Sequence, residues 1–244
     1  MRKEMKLFWF RTSSEWNRIN QNVVVQANER LVDAIEHQVH ADHADSLTAS
    51  AILGPFWRPN TPFLPYGASI IKKDVGGDTA IMYGVVRSSD GKPILGAEVD
   101  VWHTAPNGLY EQQDPAQPEY NLRGRFLTDS EGRYKFRCLR PTSYPIPFDG
   151  PAGKLLQLMD RHPYRPAHIH LIVKAPGHRQ LTTQIFDRRD KYIKDDSVFA
   201  VKDELVVDFV PRKKVDSHTN GIVNGEQHGA MYELEYDITL KESA

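Results

Sequence analysis

The segment RPAHIHLIVKAPGH, Arg165 to His178, sets His168 and His170 two residues apart in a run that otherwise has the apolar texture of a buried strand. Side chains at i and i+2 of a strand point to the same face, so the two imidazoles stand side by side. Imidazole is a common ligand for first-row metals, but a tight site needs further donors to converge on the pair. Cys138 is the single cysteine, so thiolates do not supply them. No His-Glu-x-x-His motif is present, which removes zinc-protease chemistry. Lys174 stands where a cupin-like barrel would want a glutamate. Tyr110 in APNGLYEQQD and Tyr144 in PTSYPIPFDG sit in turn-rich stretches, where a rigid scaffold presents working side chains. Each tyrosine taken singly also reads as a partly buried aromatic with its hydroxyl on a backbone carbonyl. His37, His40 and His43 in HQVHADHADS read as a solvated helix end and linker, since nothing beside them completes a coordination shell.

The elements that must carry these residues are mostly strands. AIMYGVVR (Ala80 to Arg87), VDVWH (Val99 to His103), RFLTD and RYKFRCL are separated by Asp-Gly, Asn-Gly and Glu-Gly turns, which predict hairpins and tight loops. MYELEYDITL alternates through Tyr232, Leu234, Tyr236, Ile238 and Leu240 and predicts one half-buried strand. A short helix is expected at Ala152 to Arg161, with Leu155, Leu156 and Met159 on one face. Near the N-terminus, Trp16, Ile19, Val23, Ala27, Leu31, Ala34 and Ile35 recur at helical spacing and predict a helix from Glu15 to His37. The expected organisation is a helical segment and linker over residues 1–50 and an antiparallel β-sandwich over 51–244.

Composition narrows the function classes. The 244 residues are 40% hydrophobic and 26% charged, ordinary for a soluble globular protein. Thirty-one basic and 32 acidic residues give a net charge of -1 with no long run of one sign, so no nucleic-acid or membrane footprint is expected. A lone cysteine, no signal-peptide core and no long apolar run predict a cytoplasmic protein acting on a small molecule.

VDVWHTAPNGLYEQQDPAQPEYNLRGRFLTDSEGRYKFRCLRPTSYPIPFDGP, followed by HPYRPAHIHLIVKAPGHRQLTTQIF, resembles the intradiol ring-cleaving dioxygenases, the family of catechol and hydroxyquinol 1,2-dioxygenases. The resemblance runs from about Leu31 to Phe209, with tyrosine, tyrosine and His-x-His in the family's order and spacing. It implies that Tyr110, Tyr144, His168 and His170 hold one mononuclear non-haem Fe3+ ion, with Arg165 and Gln184 beside the metal. Phenolates are hard anionic donors suited to iron(III), and imidazoles complete the shell. The implied reaction is cleavage of an aromatic diol or triol by O2, with Tyr144 taking a substrate proton and Arg165 stabilising charge on the ring. A surface ion pair for Arg165 and a hydrogen-bonding role at the core edge for Gln184 are the plain alternatives.

PIPFDGPAGKLL and DDSVFAVKDELVVDF look more like the hydroxyquinol and chlorocatechol enzymes than plain catechol dioxygenases. The implied pocket wall is Asp33, Ala34, Ile52, Gly54, Pro55, Phe56, Ile146, Pro147 and Val198. An acidic Asp33 over the ring would accept a hydrogen bond from a third hydroxyl, which favours hydroxyquinol (benzene-1,2,4-triol) over catechol or chlorocatechol. The branch carries a longer set of N-terminal helices forming a dimer interface and a lipid-filled tunnel. MRKEMKLFWFRTSSEW does not match it, and Arg30 replaces an apolar pocket residue, so a homodimer weakened by a short N-terminal region is the expectation. A non-catalytic sandwich serving as a binding module is the alternative from another class, and a defective product that binds iron poorly is a third. Loss of one of the four ligand residues would favour the binding module, and all four are present.

Overall fold

The computed structural model describes residues 47–212 and 231–243. The helix expected over Glu15 to His37, the three histidines after it, Arg30, Asp33 and Ala34 lie outside the described residues. Among the described residues the chain forms β1 (Thr79–Ser88), β2 (Glu98–Trp102), β3 (Arg123–Leu127), β4 (Arg133–Leu139) and β5 (Tyr144–Pro145). Helix α1 (Pro151–Leu158) follows, then β6 (Tyr164–Arg165), β7 (His168–Lys174) and β8 (Leu181–Asp187). A 3-10 turn (Asp203–Leu205) leads to β9 (Val206–Val207) and β10 (Val210–Pro211), and β11 (Tyr232–Glu235) and β12 (Ile238–Leu240) close the chain.

Two five-stranded sheets face each other. One runs β3-β2-β7-β8-β9, and the other has β1 at its centre with β4 on one side and β11 and β12 on the other, β10 lying outside β11. Val99, Val101, Phe126, Ile169, Leu171 and Val173 from the first sheet meet Ala80, Met82, Val86, Tyr134, Phe136 and Cys138 from the second in one apolar core. The expected sandwich is therefore present, and its central pairings β1/β4, β2/β3, β2/β7 and β7/β8 are antiparallel. The edges depart from that pattern: β11 and β12 run parallel to β1, and β9 runs parallel to β8.

MYELEYDITL forms two strands where its alternation predicts one. The break falls at Tyr236 and Asp237, opposite Gly84. A Cβ on Gly84 would lie 2.0 Å from the Tyr236 carbonyl oxygen, so only glycine lets the two backbones come this close. The Asp237 carboxylate accepts the Val85 N–H at 2.8 Å in place of a carbonyl, and the Tyr134 hydroxyl donates to the Tyr236 carbonyl at 2.6 Å. Helix α1 is also shorter than expected. It starts with Pro151 after an extended Gly150, and it ends where Asp160 takes a left-handed φ of 52° and the Arg161 N–H turns back to Leu156 O at 2.9 Å. Leu156 alone of its expected apolar face is buried, while Leu155 and Met159 are exposed.

What positions the site is the outer face of the β3-β2-β7-β8-β9 sheet. Asp100, Trp102, His168, His170, Ile172 and Gln184 alternate with the core residues and so point away from the sandwich interior. They are nevertheless buried, because the segment from Ala49 to Arg58 lies across them. Ala51 N–H donates to Thr182 O at 2.9 Å, the Thr183 hydroxyl donates to Ala49 O at 2.7 Å, and the Trp57 indole N–H donates to Asp100 Oδ2 at 3.0 Å. Full burial of Ile172 beneath this cover contributes about 2 kcal/mol.

Burial pushes the Asp100 carboxyl up to about 6, against the opposing pull of the Trp57 hydrogen bond and the Arg125 charge. A carboxyl whose folded pKa is raised binds protons more tightly folded than unfolded, so stability is highest at low pH and falls as pH rises through the window from 3.8 to about 6. The cost above that window is about 3 kcal/mol. Asp100→Asn keeps an oxygen for Trp57 and removes the ionisation. Its stability relative to the unsubstituted protein, from denaturant titrations, should rise between pH 4 and pH 7, and a pH-independent difference would refute the assignment.

Candidate metal centre

Each of the four candidate donors is fixed by its local chain. Tyr110 follows a tight turn in which Gly108 adopts a φ of 81°, the Gly108 N–H donates to Ala105 O at 2.8 Å, and Asn107 Oδ1 accepts the Leu109 N–H at 3.1 Å. Gln113 Oε1 accepts the Tyr110 N–H at 3.0 Å, and Phe56 stacks on the Tyr110 ring at 4.5 Å. Tyr144 lies on β5, which among the described residues pairs only with β6, so that Tyr144 is directly opposite Arg165. A Cβ on Gly108 would sit 3.0 Å from the Tyr144 Cβ, so the turn that delivers one tyrosine also makes room for the other. His168 and His170 project from β7 on one face, as their spacing predicts.

His168 Nδ1 lies 2.6 Å from Pro166 O. A carbonyl only accepts, so Nδ1 carries the proton and the Nε2 lone pair faces the site. The His170 ring is sandwiched between Trp102, stacked at 4.8 Å and 6°, and Gly54, on which a Cβ would come within 3.1 Å of the ring. Tyr110 Oη is 3.0 Å from His170 Nε2 and 3.4 Å from Tyr144 Oη, and the two Nε2 atoms are 3.2 Å apart. Metal–ligand bonds of about 2.1 Å put neighbouring donors of one shell about 3 Å apart, so the four atoms have the spacing of a single coordination shell.

Burial, then the Arg165 charge, hold the His168 imidazole well below its ordinary pKa, and burial with His168 and Arg165 nearby does the same for His170. Both are neutral at physiological pH, the form with a lone pair to give. Burial, and then Tyr144 beside it, push the Tyr110 hydroxyl well above its usual range. A multiply charged cation at the centre reverses that preference and draws out the phenolate. Among the described residues no group of three or more His, Cys, Asp or Glu is placed to hold a metal. Two neutral imidazoles and two phenols fit a hard first-row ion such as iron(III).

Around the donors, Arg165 Nη1 donates to His168 Nε2 at 3.0 Å and Nη2 to Gln184 Oε1 at 2.8 Å. The Gln184 amide N–H in turn donates to Ile52 O. Phe56 and Ile146 pack on the cluster that contains Tyr110 and Tyr144, and Ile52 and Val198 pack with Phe186, whose ring lies 5.7 Å from His168. Gly54 lies against His170, Pro55 is half-buried beside it, and Pro147 is exposed. Three groups that the sequence did not single out also shape the site. Trp102 backs His170, Asp196 grips Arg165, and the buried pair of Arg123 Nε and Glu111 Oε2, 2.6 Å apart, lies beneath Tyr110. Glu111 also takes Arg58 Nη1 at 2.8 Å, which ties the covering segment to the Tyr110 loop. The Arg123 guanidinium carbon is 5.6 Å from the Tyr110 ring centre.

Residues 52–242 match the Dioxygenase_C family, described as "Dioxygenase". A catechol 1,2-dioxygenase of Candida albicans is 48% identical over 214 residues, covering 87% of this chain and 67% of that protein. The chain belongs to the intradiol dioxygenase family. A hydroxyquinol 1,2-dioxygenase of a Rhizobium species is 43% identical over 211 residues, covering 86% of this chain and 69% of that protein. The crystal structure of a hydroxyquinol 1,2-dioxygenase from Pseudomonas putida DLL-E4 superposes with a TM-score of 0.73 at 32% identity, over 95% of this chain and 85% of that one. The chain spans about two thirds of the length of the curated relatives it matches. No helix among the described residues is long and apolar enough to cross a membrane.

Arg123→Met leaves the Glu111 carboxylate buried with Arg58 as its one remaining cation. It should cost about 3–5 kcal/mol of unfolding free energy. A loss below about 1 kcal/mol in denaturant titrations would mean that this pair does not hold the Tyr110 loop.

Proposed function

We propose that the chain is a non-haem iron(III) intradiol dioxygenase that cleaves hydroxyquinol with O2 to 3-hydroxy-cis,cis-muconate, the enol tautomer of maleylacetate. The observation that carries the reading is the convergence of Tyr110 Oη, Tyr144 Oη, His168 Nε2 and His170 Nε2 at separations of 3.0 to 3.4 Å in a buried site. Tyr110, Tyr144, His168 and His170 are the four residues that would hold the ion. Bound iron(III) supplies a Lewis acid that draws charge from a chelated diol and makes its ring carbon reactive towards oxygen.

The chain's own groups do the remaining work. Tyr144 is the more accessible of the two tyrosines, 7% exposed against 1% for Tyr110, which supports the reading that its oxygen accepts a proton from a substrate hydroxyl. Arg165 is a buried guanidinium. Desolvation alone would lower its pKa, but Tyr144 and Asp196 beside it more than offset this and hold it charged. That fixed charge stabilises negative charge developing on the ring as it takes ketone character. Gln184 orients Arg165 through its carbonyl and is itself anchored to Ile52, so the arginine and the pocket wall share one support. Leu53, Phe56 and Ile146 exclude water, which strengthens these interactions.

The preference for the triol rests on Asp33 as acceptor for the third hydroxyl. Catechol is the second reading, favoured by the 48% identity to a catechol 1,2-dioxygenase. The test is a visible spectrum of the iron-loaded protein before and after anaerobic addition of each diol. A tyrosinate-to-iron band that shifts on binding supports the reading, and a colourless protein after iron loading defeats it. Tyr144→Phe should lower kcat about a hundredfold or more through loss of the proton acceptor. Asp33→Ala should narrow the ratio of kcat/KM for hydroxyquinol over catechol by about tenfold, and an unmoved ratio would exclude Asp33 as the selector.

A further inference from the structure

Asp196 is buried, with 4% of its surface exposed, in the loop between β8 and the 3-10 turn. Its two oxygens are fully engaged. Oδ1 accepts from Arg165 Nε at 3.3 Å and from the Val198 N–H at 3.2 Å, while Oδ2 accepts from Arg165 Nη2 at 3.3 Å and from the Ala200 N–H at 3.0 Å. The carboxylate meets the guanidinium edge-on through Nε and Nη2, which leaves Nη1 to point at His168 Nε2. The same carboxylate fixes the backbone of Val198, whose side chain packs with Ile52 and Phe186. Its neighbour Asp195 has an unrelated task on the surface, pairing with Arg161 at 2.6 Å and His162 at 3.0 Å.

We infer that Asp196 is a positioning residue for ring cleavage, locking the Arg165 guanidinium and the Val198 wall into one rigid unit. The inference rests on the proposed function and goes beyond it, because it makes the arginine's aim depend on a carboxylate that touches none of the four donors. With the His168 Nε2 lone pair given to the metal, loss of that carboxylate leaves the guanidinium with Gln184 as its remaining side-chain acceptor among the described residues. It is then free to turn towards the phenolates, and the fixed charge is lost from the place where the ring develops its own.

The test is a double-mutant cycle on the iron-loaded enzyme: the unsubstituted protein, D196N, R165Q and the double variant. Each is measured for kcat and KM with hydroxyquinol, for the anaerobic dissociation constant of the triol from its charge-transfer band, and for thermal midpoint. D196N should lower kcat about tenfold to a hundredfold while the anaerobic dissociation constant moves less than about threefold. In the R165Q background the same substitution should change kcat by less than about twofold, since its target is gone. D196E keeps the charge and should restore part of kcat. An equal loss of kcat in both backgrounds, or a fall in thermal midpoint with kcat per bound iron unchanged, overturns the inference and leaves Asp196 as a loop anchor. Should D196N alone not fold, D196E and its double variant with R165Q are read against the same twofold criterion. If the unsubstituted enzyme cleaves no diol, the functional reading fails and takes this inference with it. If it cleaves one and the cycle is additive, the inference alone fails.

Discussion

Burial of one outer sheet face is the constraint on which the rest of the structure depends. A β-sandwich has no need to cover the faces that point away from its core, and an antiparallel sheet commonly leaves one of them to solvent. Here the segment from Ala49 to Arg58 covers that face and takes two imidazoles and two phenols out of water. Desolvation keeps the imidazoles neutral and resists the Tyr110 phenolate, and a highly charged cation at the centre would reverse the second effect.

The cover is held by polar fastenings rather than by apolar contact alone. Trp57 is pinned to Asp100, Arg58 to Glu111, and Ile52 to Gln184. Each joins the cover to an element that also positions a site residue: β2 carries Trp102, the loop carries Tyr110, and β8 carries Gln184 beside His170. A buried polar fastening adds little net stability, but it specifies one arrangement, because any slip would leave a donor or a charge unpaired. The raised Asp100 carboxyl is one cost of that arrangement.

The fold was legible in outline from residue pattern. The Asp-Gly, Asn-Gly and Glu-Gly turns marked strand limits to within a few residues, and β4 fell where RYKFRCL predicts it. The parallel edge pairings were not legible, since alternation reports which residues share a face and says nothing of the neighbour's direction. Nor was the break at Tyr236, which depends on Gly84 approaching from a strand 152 residues away, the separation of the Val85–Asp237 contact. Asp196 escaped notice for a related reason: nothing in two adjacent aspartates tells them apart, and only the chain around them decides that one is buried and the other is not.

By itself the sequence determined that His168 and His170 stand together, because their i, i+2 spacing guarantees a shared face whatever the sheet does with it. It determined the turns that free Tyr110 and Tyr144 from core duty, since glycine, proline and asparagine at those positions leave few other conformations open. Tertiary structure alone decided which face the histidines take. Every residue of β7 from His168 to Val173 is buried, so the alternation that would distinguish core from site is erased. It also decided which charges are paired beneath the site. Arg123 with Glu111 and Arg165 with Asp196 are 12 and 31 residues apart in the chain, and only folding brings them into a medium where pairing is obligatory.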